Sequence, residues 1–244
     1  MSPDSDLKKV VKIALVIAVA ILMAVLAAPM PRFNAALSTV VEARDGSLLG
    51  ARIADDGQWR FPPGDEVPEK FRKALLSFED RYFYFHPGIN PVAIFRALKD
   101  NMRTGEIVSG GSTITMQVAR LSGGNSRRTY GKKILEILQA LKMELFRSKK
   151  AILKTYAANA PFGGNIVGLD AATWRYAGKS PADITWAEAA ALAVLPNSPS
   201  LVYPGKNQEI LERKRNELLK KLYQRKYIDS LTLVLSMDEP LPGE

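Results

Sequence analysis

The stretch LLSFEDRYFYFHPGIN, residues 75–90, contains two adjacent acids, four consecutive aromatic residues and the only histidine of the chain. Upstream of it, apolar residues recur at i, i+3, i+4 and i+7 from Phe71, which is the spacing of one helix face. Downstream, Asn90 and Pro91 are typical of a helix N-cap followed by a proline in the first turn. We therefore expect this stretch to join two helices, of which the second runs to about Met102.

Glu79 falls where the first of these helices ends, among aromatic neighbours. Both the helix dipole and desolvation disfavour an ionised carboxylate there, which predicts a raised pKa suited to a general acid or base. The alternative is a solvated helix end in which Glu79 and Asp80 pair with Arg81. His86 precedes a proline–glycine turn, so its ordinary role would be a hydrogen bond to that turn or to a nearby carboxylate. Phe83 and Phe85 are expected in the core rather than stacked on a substrate.

The segment SGGSTITMQVAR, residues 109–120, begins a predicted helix with glycines and hydroxyl side chains. Free N–H groups at such a start, together with Ser112 and Thr113, can hold an anion. Gln117 and Arg120 follow at helical spacings that can bring them to a common region. An ordinary capped helix is the alternative.

A long helix is predicted from about Arg128 to Phe146. Its expected apolar face comprises Ile134, Ile137, Leu138, Leu141 and Leu145. Five cations lie within fourteen positions at or before its start: Arg120, Arg127, Arg128, Lys132 and Lys133. Such a run is usually a solvated face, but beside an anion-binding loop it fits a diphosphate. Glu136 either pairs with Lys132 at i, i+4 or lines the same cleft, where it orients the cations or binds a divalent metal.

Residues 10–28, VVKIALVIAVAILMAVLAA, form a nineteen-residue apolar run in which Lys12 is the only charge. At ~1.5 Å rise per residue such a helix nearly spans a ~30 Å hydrocarbon core, which predicts a transmembrane anchor. A cleaved signal peptide is the alternative. Lysines on the N-terminal side place residues 1–9 in the cytoplasm, and the chain beyond a 29–37 linker outside, by the positive-inside rule.

The composition limits the classes of protein and site. With 244 residues, of which 47% are hydrophobic, the chain can build a substantial core. Absence of cysteine and a single histidine exclude disulfides, thiolate zinc sites and histidine-rich metal sites. The formal charge of +9 favours lipid headgroups or a phosphate-bearing substrate. Nucleic acid, the rival partner of a basic chain, is disfavoured by the predicted external, membrane-tethered location.

The remaining pattern is mostly helical. Two Asp-Gly turns between short β-prone runs predict a small hairpin region at residues 38–61. Further helices are expected near 149–158, 168–177 and 185–195, and a basic amphipathic helix at 207–227 could dock on the domain, the membrane or a partner. The prediction is therefore a mainly α protein: one helical domain over residues 38–244, with a β accessory and one transmembrane helix.

Four segments, in consistent order over about residues 38–236, resemble the motifs of the peptidoglycan glycosyltransferase family (glycosyltransferase family 51), found in monofunctional transglycosylases and class A penicillin-binding proteins. They are EDRYFYFHPG, GGSTITMQVAR, RRTYGKKILEILQALKMEL and the segment from KKAILKTY to YAGKSPADITWAEAAALAVLPNSPSLVYP. The resemblance implies a lysozyme-like helical fold. It also implies an enzyme that polymerises lipid II into β-1,4-linked glycan strands, with inversion at the anomeric carbon and release of undecaprenyl diphosphate. The location implied is the plasma (inner) membrane.

The resemblance also assigns roles to residues. Glu79 matches the general base, and Glu136 the acid that supports the cations or a metal, with Mg or Mn as candidate cofactor. The residues matching substrate-binding or supporting positions are Asp80, Phe83, His86, Ser112, Thr113, Gln117, Arg120, Arg128, Lys132 and Lys133. The partners implied are lipid II, the growing glycan strand, membrane lipids and a cell-wall synthesis complex, and no nucleic acid.

Two departures qualify these expectations. In the fourth motif, Lys154 and Ala158 stand where the family pattern Ile-Leu-Glu-x-Tyr-x-Asn has Glu and Asn; those family residues either brace the fold or touch the sugar. The chain ends at Glu244 without room for a transpeptidase domain, which fits either a longer natural chain or a monofunctional protein. Alternative functions are a lytic transglycosylase or muramidase on the same fold, and a non-catalytic glycan- or lipid-binding scaffold.

Overall fold

A computed structural model describes residues 3–104, 111–124, 129–197 and 199–242 of the chain. Within these residues the helices are α1 (Pro3–Ala27), α2 (Glu69–Phe78), α3 (Pro91–Thr104), α4 (Ile114–Ser122), α5 (Tyr130–Phe146), α6 (Lys149–Asn159), α7 (Leu169–Ala177), α8 (Trp186–Val194), α9 (Gln208–Gln224) and α10 (Ser230–Asp238). The strands are β1 (Thr39–Glu42), β2 (Leu48–Arg52), β3 (Pro161–Gly163) and β4 (Ile166–Val167). The mainly α fold class with a small β region is confirmed.

The N-terminal helix matches the predicted anchor. Its segment Leu7–Ala27, 21 residues, is long and apolar enough to cross a membrane by length and composition. Nearly all of its described side chains are exposed, but Val25 near its end is buried. This end of α1 is therefore the part that packs against the rest of the protein.

Helix α5 holds the end of the anchor through its polar side chains. Lys142 Nζ donates to the carbonyl oxygens of Leu26 and Ala28, both at 2.6 Å. Gln139 Nε2 donates to the carbonyl of Pro29 at 3.1 Å. The last carbonyls of a helix have no partner within it, so these bonds satisfy groups that would otherwise need water. The predicted 29–37 linker is thus tied to α5 at its start.

The β region is a hairpin, as predicted. Strands β1 and β2 pair antiparallel, and Asp45 Oδ1 accepts from the Ser47 N–H at 3.0 Å in the turn between them. Gly46 in this turn has a φ of 83°, which a side chain would strain. Downstream, Trp59 pairs with Ile166, which fixes the region beside the short β3–β4 sheet. The β3–β4 sheet was not expected from the sequence.

The core lies among α2, α4, α6, α8 and α9. The predicted face of α2 is confirmed, because Phe71, Ala74 and Leu75 are fully buried. The basic helix α9 docks on the domain, with these leucines inside: Leu211, Leu218, Leu219 and Leu222. The buried Arg215 of α9 donates to the carbonyls of Met237 and Glu239, which closes the C-terminal end of α10. The sequence did not reveal α10.

The prediction for α5 needs a correction. Its buried residues are Gln139, Ala140 and Met143, whereas Ile134 and Leu145 of the predicted core face are about 60% exposed. Helix α5 packs through its polar and small side against α4 and the end of the anchor, so much of its apolar side stays outside. Exposed apolar residues also occur on α3. We call the following the apolar patch: Val92, Phe95 and Met102 of α3, and Tyr130 and Ile134 of α5.

Candidate active site

Glu79 caps the C-terminal end of α2, where its N–H bonds the carbonyl of Leu75 at 2.8 Å. Its carboxylate Oε2 accepts from Gln117 Nε2 at 2.7 Å. Its Oε1 is buried and receives no well-formed hydrogen bond within the described part of the chain, although Asn197 approaches the carboxylate. Gln117 therefore orients one oxygen firmly, and the other oxygen is held less closely, on the side that Asn197 approaches.

Burial raises the pKa of Glu79, as the sequence predicted. The Gln117 hydrogen bond, the charge of Arg120 and the approach of Asn197 each lower this pKa, and the charge of Asp80 raises it further. Desolvation is the largest effect because the ionised form loses water that one hydrogen bond does not replace. A carboxylate in this state accepts a proton more readily than an exposed glutamate does.

Gln117 is itself held by Tyr156 of α6. The Tyr156 hydroxyl lies 3.5 Å from Gln117 Oε1, at the long limit for a hydrogen bond. Burial raises the pKa of Tyr156 well above its ordinary value, so the phenol keeps its proton and acts as the donor. The amide of Gln117 is thereby oriented with its NH₂ group toward Glu79. Tyr156 was not among the predicted site residues, although its place in the fourth motif was a signal for it.

Asp80 and His86 bind each other rather than lining an open cleft. His86 Nε2 lies 3.0 Å from both carboxylate oxygens of Asp80, and both residues are buried. His86 Nδ1 accepts from the Gly88 N–H at 3.2 Å, so the ring proton is on Nε2 and points at Asp80. The ordinary role considered for His86, bonding its own turn and a carboxylate, is confirmed. We call residues 79–88 the 79–88 loop.

The start of α4, where glycines and hydroxyls predict an anion site, is described from Gly111 onward, and Ser109 and Gly110 lie outside the described residues. Asp80 Oδ2 accepts from the Ile114 N–H at 3.0 Å, so a carboxylate of the protein itself occupies the helix start. Thr113 accepts from the Met116 N–H at 3.1 Å and donates to the Gly88 carbonyl at 2.6 Å. The predicted anion-binding groups therefore seat the 79–88 loop on α4. Phe83 is fully buried in the core, as predicted, whereas Phe85 is 86% exposed, so the prediction for Phe85 is wrong.

A second polar group lies at the start of α5. Lys133 Nζ donates to Ser112 Oγ at 2.7 Å and to Glu136 Oε2 at 3.1 Å, while Lys132 is exposed. Of the two alternatives for Glu136, the pair with Lys132 does not form among the described residues: Glu136 pairs with Lys133 at i, i+3, and Lys133 also contacts Ser112. Arg128 lies outside the described residues.

Helix α4 connects the two groups. Ser112 just before α4 contacts Lys133, whereas Gln117 and Arg120 further along the helix lie near Glu79. With a rise of ~1.5 Å per residue, the five positions from Ser112 to Gln117 correspond to roughly 7.5 Å along the axis. A buried acid with a raised pKa thus lies at one part of the helix, and the lysines at the start of α5 lie at the other.

The expected metal site does not assemble among the described residues. They contain no group of three or more acidic or histidine side chains that could hold a metal ion. Glu136 is already neutralised by Lys133, and a single carboxylate supplies few of the oxygen ligands that Mg²⁺ needs. The divalent cation remains a prediction.

The two residues that depart from the fourth motif, Lys154 and Ala158, lie at a cavity away from Glu79. This cavity, of about 810 Å³, is lined by residues that include Arg72, Tyr84, Lys150, Lys154 and Asp170. Lys154 Nζ lies 3.9 Å from Asp65 Oδ1, and Ala158 lines the adjoining recess. Positions 154 and 158 share one face of α6, and Tyr156 lies on the other side, toward Gln117. The departures therefore do not contact Glu79.

Comparison with known proteins agrees with this geometry. A sequence profile of the family described as Transglycosylase matches residues 46–223. Penicillin-binding protein 1C of Escherichia coli (strain K12) is 44% identical over 196 residues, which cover 80% of this chain and 25% of that protein. Penicillin-binding protein 1A of Aquifex aeolicus (strain VF5) is 38% identical over 177 residues, which cover 72% and 24%.

The chain spans about a quarter of the length of the curated relatives it matches. A crystal structure of penicillin-binding protein 1A from Haemophilus influenzae covers 87% of this chain and 22% of its own at 21% identity, but its TM-score of 0.49 is too low to support an argument. The family profile and the two relatives suffice, and the chain belongs to the transglycosylase family.

Proposed function

We propose that this protein is a membrane-anchored peptidoglycan glycosyltransferase that polymerises lipid II into glycan strands, with Glu79 as the general base. The observation that carries the proposal is the state of the Glu79 carboxylate. Gln117 orients one oxygen, and burial raises the pKa of the carboxyl group. A base in this state is suited to remove a proton from a sugar hydroxyl.

The chemistry assigned to the site has two parts. Glu79 takes the proton from the 4-hydroxyl of the acceptor sugar while the oxygen of that hydroxyl attacks the anomeric carbon of the donor. The bond from that carbon to the lipid diphosphate breaks, and cations such as Lys132 and Lys133 stabilise the departing anion without giving it a proton. In-line attack inverts the anomeric carbon, so an α-linked donor yields a β-1,4 link. Lipid II and the growing strand are thus the proposed substrates.

The surroundings of the anchor support a contact with membrane lipids. The apolar patch is largely exposed, with Phe95 at 72% and Tyr130 at 93%. Helix α5, which carries part of the patch, also holds the end of α1 through Lys142. Exposed apolar area of this kind beside an anchor fits the acyl chains of the bilayer. We place the protein in the plasma (inner) membrane, with the N-terminus cytoplasmic and the domain outside; a cell-wall synthesis complex remains an expected partner.

A lytic transglycosylase or muramidase is the second candidate, because a carboxyl with a raised pKa can also donate a proton. Glycosidases generally place a second carboxylate across the bond. Here the adjacent acid, Asp80, is bound by His86 and the start of α4. Cations near Ser112 have no role in cleaving a bond to a neutral sugar. The geometry therefore favours synthesis.

The product made by the purified full chain separates these functions. Labelled lipid II in detergent is expected to become long strands that a muramidase digests, while purified sacculi release nothing. Fragments released from sacculi, without polymer from lipid II, would establish the lytic function instead. Binding of lipid II with neither product, in conditions where a control enzyme is active, would support the scaffold function.

A further inference from the structure

A partly buried lysine outside the predicted site, Lys149, contacts the 79–88 loop. Lys149, in the first turn of α6, donates from Nζ to the His86 carbonyl at 2.7 Å and to Glu144 Oε1 at 2.8 Å. The same ammonium lies 4.4 Å from the centre of the Phe83 ring. Its three N–H groups thus have an oxygen, a carboxylate and an aromatic face around them. Two of these three partners belong to the loop.

Glu144 connects this lysine to two further helices. Its Oε1 also accepts from the Thr115 hydroxyl of α4 at 2.6 Å, and its side chain is only 9% exposed. Thr115 lies two residues before Gln117, the residue that orients Glu79. Glu144 itself belongs to α5, which also carries Lys133 eleven positions earlier.

The 79–88 loop approaches α5 closely at Gly88. A Cβ atom there would lie 2.8 Å from the Ala140 carbonyl oxygen and 2.9 Å from Cγ of Glu144. The φ of Gly88 is 92°, a conformation that also favours glycine. The loop is therefore wedged between α4, which holds Asp80 and Thr113, and the Glu144 region of α5.

We infer that Lys149 and Glu144 are positioning residues that set the place of Glu79 relative to the cations of α5. The inference rests on the proposed function. The inference goes beyond that function because neither Lys149 nor Glu144 contacts the Glu79 carboxylate or the lysines at the start of α5. The Lys149–Glu144 ion pair fixes the 79–88 loop to α4, α5 and α6 together. It therefore sets how well Glu79 is shielded from water and how far Glu79 lies from Lys133. Misplacement of a reacting group by about 1 Å can cost a factor of about 100 in rate.

The test compares Lys149→Met with two other variants of the full chain. The methionine keeps the aliphatic stem and removes the ammonium; Lys149→Arg restores a donor; and Lys150→Met is a control, because that side chain is 72% exposed and pairs only with the exposed Glu66. We expect Lys149→Met to lower kcat at least about tenfold with KM for lipid II within about threefold. Arginine should recover part of this loss, and Lys150→Met should match the unaltered protein.

Two further readouts separate positioning from a loss of folded protein. As the loop loosens and Glu79 is hydrated, the acidic limb of the kcat–pH profile of Lys149→Met should move to lower pH, and amide hydrogen exchange should quicken in residues 79–88. A kcat that falls only with the folded fraction, or an unmoved acidic limb with unchanged exchange, overturns the inference. If Lys149→Met does not fold, Glu144→Gln is subject to the same criteria.

Failure of the proposed function is recognisable separately. If the unaltered protein makes no polymer from lipid II, the proposed function fails, and hydrogen exchange still decides the positioning of the loop. Faster exchange in residues 79–88 of Lys149→Met then supports the positioning role, and unchanged exchange overturns it.

Discussion

Replacing Asp80 by Asn tests whether the carboxylate holds the 79–88 loop. In the protein, Asp80 accepts from His86 Nε2 and from the Ile114 N–H, each at 3.0 Å. An amide has one acceptor oxygen, so either orientation of the Asn side chain turns an NH₂ group toward a donor. Moving the His86 proton to Nδ1 does not relieve this, because Nδ1 accepts from Gly88. The substitution therefore always leaves one buried donor without an acceptor.

The expected cost follows from these bonds. A hydrogen bond to a charged group contributes about 1.5–3 kcal/mol, and an unsatisfied buried donor adds to the loss, so we expect about 2–4 kcal/mol of destabilisation. For a domain of this size each kcal/mol lowers Tm by about 2–4 °C, which gives a decrease of roughly 4–16 °C. Circular dichroism melting of the full chain in detergent measures it. Asp55→Asn, at an exposed turn, is the matched control. Equal melting temperatures for Asp80→Asn and this control would refute the reasoning.

Three further predictions concern Glu79, the apolar patch and Lys154. Burial raises the pKa of Glu79, and the base must be ionised to act. We therefore expect kcat to rise with pH, with a midpoint above the ordinary glutamate pKa of about 4.3. A kcat that does not change between about pH 4 and about pH 8 would contradict this prediction. The chain has no cysteine, so a polarity-sensitive dye can be placed by Phe95→Cys and by Leu231→Cys on α10; in vesicles, brominated lipid tails should quench only the dye at position 95. Lys154→Glu, which restores the family residue beside the second cavity, should leave turnover within about twofold and change stability by at most about 1 kcal/mol, whereas a large change in kcat would show that this cavity influences the site.

The helices could be predicted largely because their determinants are local. Asn90 caps α3 as expected, accepting from the Ala93 N–H at 3.0 Å, and the stripe beginning at Phe71 is buried. The direction of the Glu79 pKa was also predicted, although groups around its carboxylate, such as Gln117, are distant in sequence. Helix α10 was not predicted, although Asp229 caps its start locally.

Other features depend on contacts that sequence spacing does not specify. Periodicity identifies an apolar face, but it does not say whether that face meets a core or is left exposed, which is why Ile134 was misplaced. The start of α4 has the composition of an anion site, yet its anion is Asp80, 34 residues earlier in the chain. Lys132 and Lys133 both lie within helical reach of Glu136, and the sequence does not show that Ser112 contacts Lys133.

Turnover of lipid II by Glu79→Gln tests the central claim most directly. The amide cannot take a proton, so the account predicts a loss of polymerisation of at least about 100-fold, with lipid II still bound and the helical signal unchanged. The unaltered protein, purified and assayed in parallel, sets the reference rate. Polymer formation by Glu79→Gln within about threefold of that rate would contradict the assignment of Glu79 as the base.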